Sequence, residues 1–452
     1  METNDNQALL ENAPVSTLIR KMSVPSIIGV MAYNLYNLFD TIFISRGAGS
    51  SAVGGVAVSF PLFLFLSAVS STLGSGAASV MSRAFGRKDY EKATKTAANT
   101  FLLFYITAIL VTILGLCFLE QFLYAMGVTD TLLPYAKSYT RIILAGAVTS
   151  TGFSSLIRAE GSSRYAMYIW VIPMSANILL DILFIFGLRM GVIGAAAGTV
   201  MAQAISMFMS IYYFFLSGKS CLKFSVKDFI PDKDIIREVI LIGIPSFLQM
   251  SGYSISIIIV NQFLRKYGGD LPISTYGIVS RVNTLFLFPV MGLVQGIQPI
   301  IGYSNGAGKP VRIAETLKKS SILAVLYGAF GYLVILLFSS QILRLFTTDE
   351  GILKLGSTVL KLTNAGMILN GLLNIQSAYF QAVGKKLLSL FLVLCNQVIC
   401  FIPITFLLGS IFGLSGIWYS FPVSALLASV VSGPVTVYSV RKSLTFKNRM
   451  LQ

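Results

Sequence analysis

Histidine is absent from all 452 residues. That excludes imidazole general bases, His-ligated haem and most zinc sites. Charge is also scarce: only 12% of residues are Asp, Glu, Lys or Arg, against roughly 25% in an ordinary soluble domain. The four cysteines, Cys117, Cys221, Cys395 and Cys400, have neither metal-site spacing nor the framework of a small secreted domain, so no disulfide is expected. No basic stretch precedes an apolar run in the N-terminal METNDNQALLENAP. A cleavable signal is therefore not expected, and the first apolar run stays in the mature chain.

What fills the space is apolar. Hydrophobic residues make up 55% of the chain and the mean hydropathy is +0.77. A membrane-spanning helix needs about 20 such residues. Twelve runs qualify: 18–45, 52–82, 92–119, 132–157, 165–187, 192–217, 236–264, 273–303, 317–343, 355–382, 387–410 and 414–440. They are apolar all round rather than alternating, which indicates helices and not barrel strands. The expected fold class is an all-α polytopic membrane protein, with twelve transmembrane helices in two pseudo-symmetric six-helix bundles.

The net charge of +16 raises the question of a nucleic-acid partner, but the placement of the charges argues against one. With the N-terminus in the cytoplasm, cytoplasmic segments hold 24 of the 34 Lys and Arg, the opposite side holds nine, and Arg281 lies within a span. The positive-inside rule accounts for that bias and predicts both termini in the cytoplasm.

The two halves resemble each other at an offset of 219 to 223 residues. Pro25-Ser26 recurs as Pro245-Ser246, Gly74 as Gly296, Gly86 as Gly308, Ala159-Glu160-Gly161 as Ala382-Val383-Gly384, and Gly191 and Gly194 as Gly413 and Gly416. Six spans per repeat give both halves one orientation and place a pseudo-two-fold axis along the membrane normal, with a cavity between the bundles. The expected organisation is an N-terminal lobe at 1–217, a basic cytoplasmic linker at 218–235 and a C-terminal lobe at 236–452.

One feature breaks the symmetry. Asp40 aligns with Val260, and Asp181 falls against Pro403 or Ile404. An acid within hydrocarbon is costly and marks a functional site. Asp40 lies seven residues before Gly47, Asp181 six before Gly187, and Thr199 eight after Gly191. At 1.5 Å per residue, all three lie roughly 9–12 Å below the outer surface. Tyr36 is one turn from Asp40, and Asn177 is one turn from Asp181. These oxygen-bearing side chains suit a proton or a hard cation such as sodium, the latter held by Asp40, Asn177, Asp181 and Thr199. A hydrogen-bond network that only joins spans 1, 5 and 6 is the plainer alternative.

In the second half, Gln298, Asn370 and Asn374 supply polarity without charge, and Arg281 supplies a charge; these four are the candidate substrate-cavity residues. The pairs Gly187/Gly191, Gly194/Gly198 and Gly292/Gly296 permit close helix contact. Gly218-Lys219-Ser220 imitates the end of a phosphate-binding loop, but position 213 is Tyr213 where that motif needs glycine, and the strand–loop–helix context is missing. No ATP site is expected.

The twelve spans, the six-plus-six repeat, and the pattern of Tyr36, Asp40, Asn177, Asp181 and Thr199 together resemble the MATE (multidrug and toxic compound extrusion) transporters. The branch they are most similar to is the prokaryotic one with a cation site in the N-terminal lobe. Val24-Pro25 at the start of span 1 and Ala159-x-Gly161 after span 4 are similar too. The resemblance covers nearly the whole chain. It implies a multidrug efflux antiporter in the plasma membrane of a prokaryote, exporting amphipathic, often cationic compounds in exchange for Na+ or H+. It implies no cofactor beyond that ion and no catalytic residue, and a monomer is expected. Two alternatives share some of these features. A lipid-linked oligosaccharide flippase has the same general architecture but would line its cavity with basic residues. An intramembrane aspartyl-type enzyme would use Asp40 and Asp181 as an acid pair.

Overall fold

The computed structural model describes residues 2–150 and 153–450. Positions 151 and 152, inside the fourth apolar run, lie outside the described residues. No strand occurs among the described residues. The chain forms α1 (Glu2–Asn12), α2 (Val15–Ala48), α3 (Ser50–Gly86), α4 (Tyr90–Cys117), α5 (Leu119–Ala125), α6 (Leu133–Ala145), α7 (Phe153–Ala159), α8 (Ser163–Asp181) and α9 (Gly191–Ile211). After the connecting segment come α10 (Lys233–Gly268), α11 (Asp270–Gly306), α12 (Pro310–Arg344), α13 (Glu350–Asn364), α14 (Met367–Ala382), α15 (Lys386–Leu394) and α16 (Phe401–Met450).

Among the described residues, these helices supply twelve spans. Eight are α2, α3, α4, α8 with its extension to Gly187, α9 with its extension to Leu216, α10, α11 and α12. Two more are bent pairs: α6 with Ala147–Ala159 at 48°, and α13 with α14 at 43°. The last apolar stretch, Lys386–Thr445, is 60 residues long. As one rod it would reach about 90 Å, three times the hydrocarbon thickness. It breaks instead at Gly413, whose backbone is non-helical (φ 58, ψ −133). The chain folds back there: Thr405 donates to Ser420 Oγ at 3.0 Å, and the Phe401 and Phe421 rings stand 4.9 Å apart.

The repeat is visible in the turns. Gly191 (φ 57) and Gly413 (φ 58) both take a positive φ, as do Gly49 (φ 87) and Gly269 (φ 72). Lys88 (φ 62) and Gly308 (φ 65) form a third pair, which corrects the sequence pairing of Gly86 with Gly308: Gly86 ends α3 as Gly306 ends α11. Lysine tolerates that geometry less well than glycine does. The six-helix bundles are therefore pseudo-symmetric in detail as well as in number.

The bundles meet along the half of their helices nearest the loops rich in Lys and Arg, here called the basic face. Backbones approach so closely there that side chains would overlap. A Cβ on Gly296 would stand 2.5 Å from Ser23 Cα, and one on Gly292 would overlap Ile27 Cα. Gly76 meets the Val239 carbonyl, and Gly243 meets the Thr72 carbonyl. Small residues allow this approach, and packing then holds the helices together without help from the hydrophobic effect. A polar node sits in the same interface. Gln381 Nε2 donates to Ser246 Oγ (2.9 Å), the Ile242 carbonyl (3.0 Å) and Ser75 Oγ (3.2 Å). Glu238 bridges the halves through Arg83 (3.1 Å) and Lys92 (2.9 Å). Helix α1 contacts both bundles: Asn6 donates to Ser162 Oγ (2.8 Å), and the carbonyls of Leu10, Glu11 and, just beyond the helix, Ala13 accept from the Arg312 guanidinium at 2.7–3.0 Å.

Candidate functional site

The site lies in the N-terminal bundle, away from the basic face. Helix α2 brings Tyr36 and Asp40, α8 brings Asn177 and Asp181, and α9 brings Thr199. Asp40 is 7% exposed, Asn177 and Asp181 are fully buried, and Thr199 is 1% exposed. Asp40 and Asp181 are near enough for their charges to interact. The two acids and Thr199, aligned in depth along their helices, thus come together in space.

Their hydrogen bonding is incomplete in a specific way. In the amide orientation that satisfies both partners, Asn177 donates to Asp181 Oδ2 (3.1 Å), and its oxygen accepts from the Thr199 N–H (3.2 Å). Asn177 is thereby fixed, and it fixes the carboxylate one turn away. Asp181 Oδ1, Asp40 Oδ1 and Thr199 Oγ1 are all buried without a hydrogen-bond partner. A buried oxygen left unpaired costs about 1–3 kcal/mol, more when charged. Three such oxygens from three helices form a donor set for a proton or a hard cation, which is bound by carboxylate, carbonyl and hydroxyl oxygens. The residues present therefore fit a small monovalent cation. Tyr36 stands beside Thr199, Asp40 and Tyr139, but no hydrogen bond of ordinary geometry reaches Thr199 Oγ1.

Three features of this site are not picked out by the sequence. Tyr139 on α6 is 8% exposed and stands within electrostatic range of both Asp40 and Asp181. Its signal was its depth: it lies about as far along span 4 as Thr199 lies along span 6. Gly198 gives Asp181 its room, because a Cβ there would stand 2.5 Å from Asp181 Oδ1. The sequence marked Gly198 only as a packing residue. A wide π turn, Ile182–Gly187, follows Asp181 directly. Such turns interrupt the regular hydrogen-bond ladder and recur at functional sites.

The four C-terminal candidates divide. Asn374 Oδ1 accepts from Gln249 Nε2 (3.0 Å) and lines a small cavity with Gln249, Ser377, Asn396 and Gln397. Asn370 contributes its carbonyl to Asn374 Nδ2 (2.8 Å). Gln298 instead donates to Gln381 Oε1 (3.2 Å), inside the packed interface near the basic face. Arg281 is exposed on the part of α11 distant from that face.

Comparison with known proteins agrees with this architecture. The sequence pattern of the MatE family matches residues 25–183 and again 245–407, once in each half. The multidrug export protein MepA of Staphylococcus haemolyticus is 28% identical over 442 residues, covering 96% of each chain. The protein of that name from Staphylococcus aureus is 27% identical over 439 residues, again covering 96% of each. Among solved structures, an outward-facing multidrug resistance MATE family transporter superposes with a TM-score of 0.92 at 24% identity, over 97% of this chain and 98% of that one. A MOP superfamily transporter from Pyrococcus furiosus gives 0.91 at 25% identity with the same coverage.

Proposed function

The chain belongs to the MatE family of multi-pass membrane transporters, and from that premise we propose that it is a multidrug efflux antiporter that exports amphipathic, often cationic compounds in exchange for Na+ or H+. It is a transporter and not an enzyme. Asp40, Asn177, Asp181 and Thr199 hold the coupling ion, with Tyr36 and Tyr139 beside them. The observation that carries this reading is the set of three unpaired buried oxygens, Asp40 Oδ1, Asp181 Oδ1 and Thr199 Oγ1. The MepA relatives, named for multidrug export, support the substrate class.

The basic face is cytoplasmic in this proposal, following the charge bias. Residues 1–217 and 236–452 act as two lobes, joined by the segment 218–235. The packing of Gly76, Gly243, Gly292 and Gly296 across the halves then closes the cytoplasmic side, so the ion site communicates with the outside. An ion drives the cycle only through its differential affinity for the two states. Protonation or sodium binding neutralises the acids of α2 and α8 against α9, and this favours a different packing of α2. Pro25 and Gly29 loosen the start of that helix. Drug binds between the lobes, where Asn374, Asn370 and Arg281 offer polar contacts and Gln298 becomes available once the interface opens.

Reconstitution into proteoliposomes tests the proposal. With sodium and proton gradients imposed separately, at least one should drive drug export in the native protein, and Asp40→Asn and Asp181→Asn should each abolish it. Undiminished export by both variants would refute the ion site.

A further inference from the structure

A cavity on the basic face of the C-terminal bundle lies well away from the ion site. It is a small open crevice of about 50 Å3, and the ends of α11, α12, α14 and α16 surround it. One wall is apolar, formed by Pro310, Ile313, Val383 and Val440. The other carries Asn305, Ser443 and Lys385. Lys385 sits between α14 and α15, and its ammonium reaches inward to Ser439 Oγ at 2.7 Å. Ser439 is 4% exposed and also contacts the Tyr379 hydroxyl at 3.2 Å.

The charges here are unbalanced. Partial burial and the nearby Lys442 both push the Lys385 ammonium below the usual lysine range. No carboxylate among the described residues forms an ion pair with it, whereas Glu315 of the same bundle is already paired with Lys319 (2.6 Å). An ammonium has three N–H donors, and Ser439 takes one. The basic neighbours Lys309 and Arg312 are engaged with the end of α1. Two cations beside each other, with free donors and a hydroxyl and an amide at hand, form an anion site. The apolar wall next to it distinguishes an amphipathic ligand from a free ion. Basic pockets between helix ends at the membrane surface bind phosphorylated lipid head groups by this arrangement.

We propose that this cavity binds the phosphodiester of an anionic phospholipid, with Lys385 as its main cationic contact, Lys442 adding charge, and Asn305 and Ser443 as further polar contacts. The glycerol end of the lipid lies on Ile313 and Val440. A lipid held here touches α11, α12, α14 and α16 together and braces the C-terminal bundle at the face where the two halves meet.

The test uses the purified full-length transporter, stripped of lipid and then supplied with phosphatidylglycerol, phosphatidylcholine or inorganic phosphate. Native mass spectrometry counts retained lipid, and thermal unfolding reports protection. Phosphatidylglycerol should be retained at least severalfold better than phosphatidylcholine. That ratio should fall three- to tenfold in Lys385→Gln, by less in Lys442→Gln, and not at all in Lys227→Gln, which changes charge elsewhere on the same face. Inorganic phosphate should give little protection. Strong protection by phosphate alone, lost in Lys385→Gln, would support the anion site but overturn the lipid source. An unchanged lipid ratio in both Lys385→Gln and Lys442→Gln, with both proteins folded, would overturn the site.

Discussion

Gly198 and Asp181 form a matched pair: a Cβ on residue 198 would stand 2.5 Å from Asp181 Oδ1, nearer than real Cβ contacts come. The unpaired carboxylate oxygen therefore occupies space that only glycine leaves open. Gly198→Ala must displace the carboxylate or α9. The expected result is a loss of apparent affinity for the coupling ion of about tenfold, or about 1.4 kcal/mol, within the roughly 1–3 kcal/mol typical of overpacking, with the fold intact. Gly433→Ala is the control, because nothing lies within 4 Å of a Cβ there. Ion-dependent drug efflux from proteoliposomes reads the difference, and equal behaviour of the two variants would remove Gly198 from the site.

Asp40 and Asp181 should behave as one unit. Each leaves one buried oxygen unpaired, and the two charges interact. In a double-mutant cycle, Asp40→Asn combined with Asp181→Asn is expected to be little worse than either alone, which gives a large coupling term. Additive losses would place the two acids in separate sites.

The glycine contacts across the halves predict a conformational bias. A side chain at Gly243 would overlap the Thr72 carbonyl, and backbone cannot step aside as a flexible side chain can. Gly243→Val should disfavour packing at the basic face by roughly 1–3 kcal/mol. Spin labels at positions 95 and 318, in a background without native cysteines, should then show longer distances by double electron–electron resonance. An unchanged distance distribution in an active variant would mean that the halves do not separate at this contact.

Much of this was legible in the sequence because a membrane reduces the available structures to helices of fixed rise. An acid among apolar residues then stands out singly, as Asp40 and Asp181 do, and residue spacing gives the depth at which Asn177 and Thr199 join them. The break between the last two spans was legible at Gly413 for the same reason. What escaped depends on neighbours rather than on local pattern. Tyr139 is an ordinary membrane residue until α6 packs beside α2 and α8. The π turns at Ile182–Gly187 and Cys395–Cys400 have no local composition that demands them. Gln298 and Asn374 look alike as letters, but one is held in the interface between the halves and the other lines a cavity inside one bundle.

Glu160 entered the sequence reading only as a letter of the repeat, opposite Val383. In the structure it is 2% exposed, at the turn after α7, and its carboxylate accepts from Ser220 Oγ (2.8 Å) and the Tyr213 hydroxyl (3.0 Å). Its backbone carbonyl accepts from Gln7 of α1 at 3.4 Å. Burial raises its carboxyl to about 7, and the hydrogen bonds from Ser220 and Tyr213 offset only part of that. The folded protein therefore keeps the proton over a pH range in which the unfolded chain, with an ordinary carboxyl near 4.5, has lost it. Stability from this group is fully present below about pH 4.5 and declines as pH rises to about 7, where the slope ends. A shift of this size corresponds to something on the order of 3 kcal/mol. Glu160→Gln keeps the shape and removes the titration, so its thermal stability should lack that component between pH 4.5 and 7 and exceed that of the native protein at pH 7.5. Thermal unfolding of both proteins across pH 4.5–8 measures this, and parallel curves would show that Glu160 does not titrate in the folded state over that range.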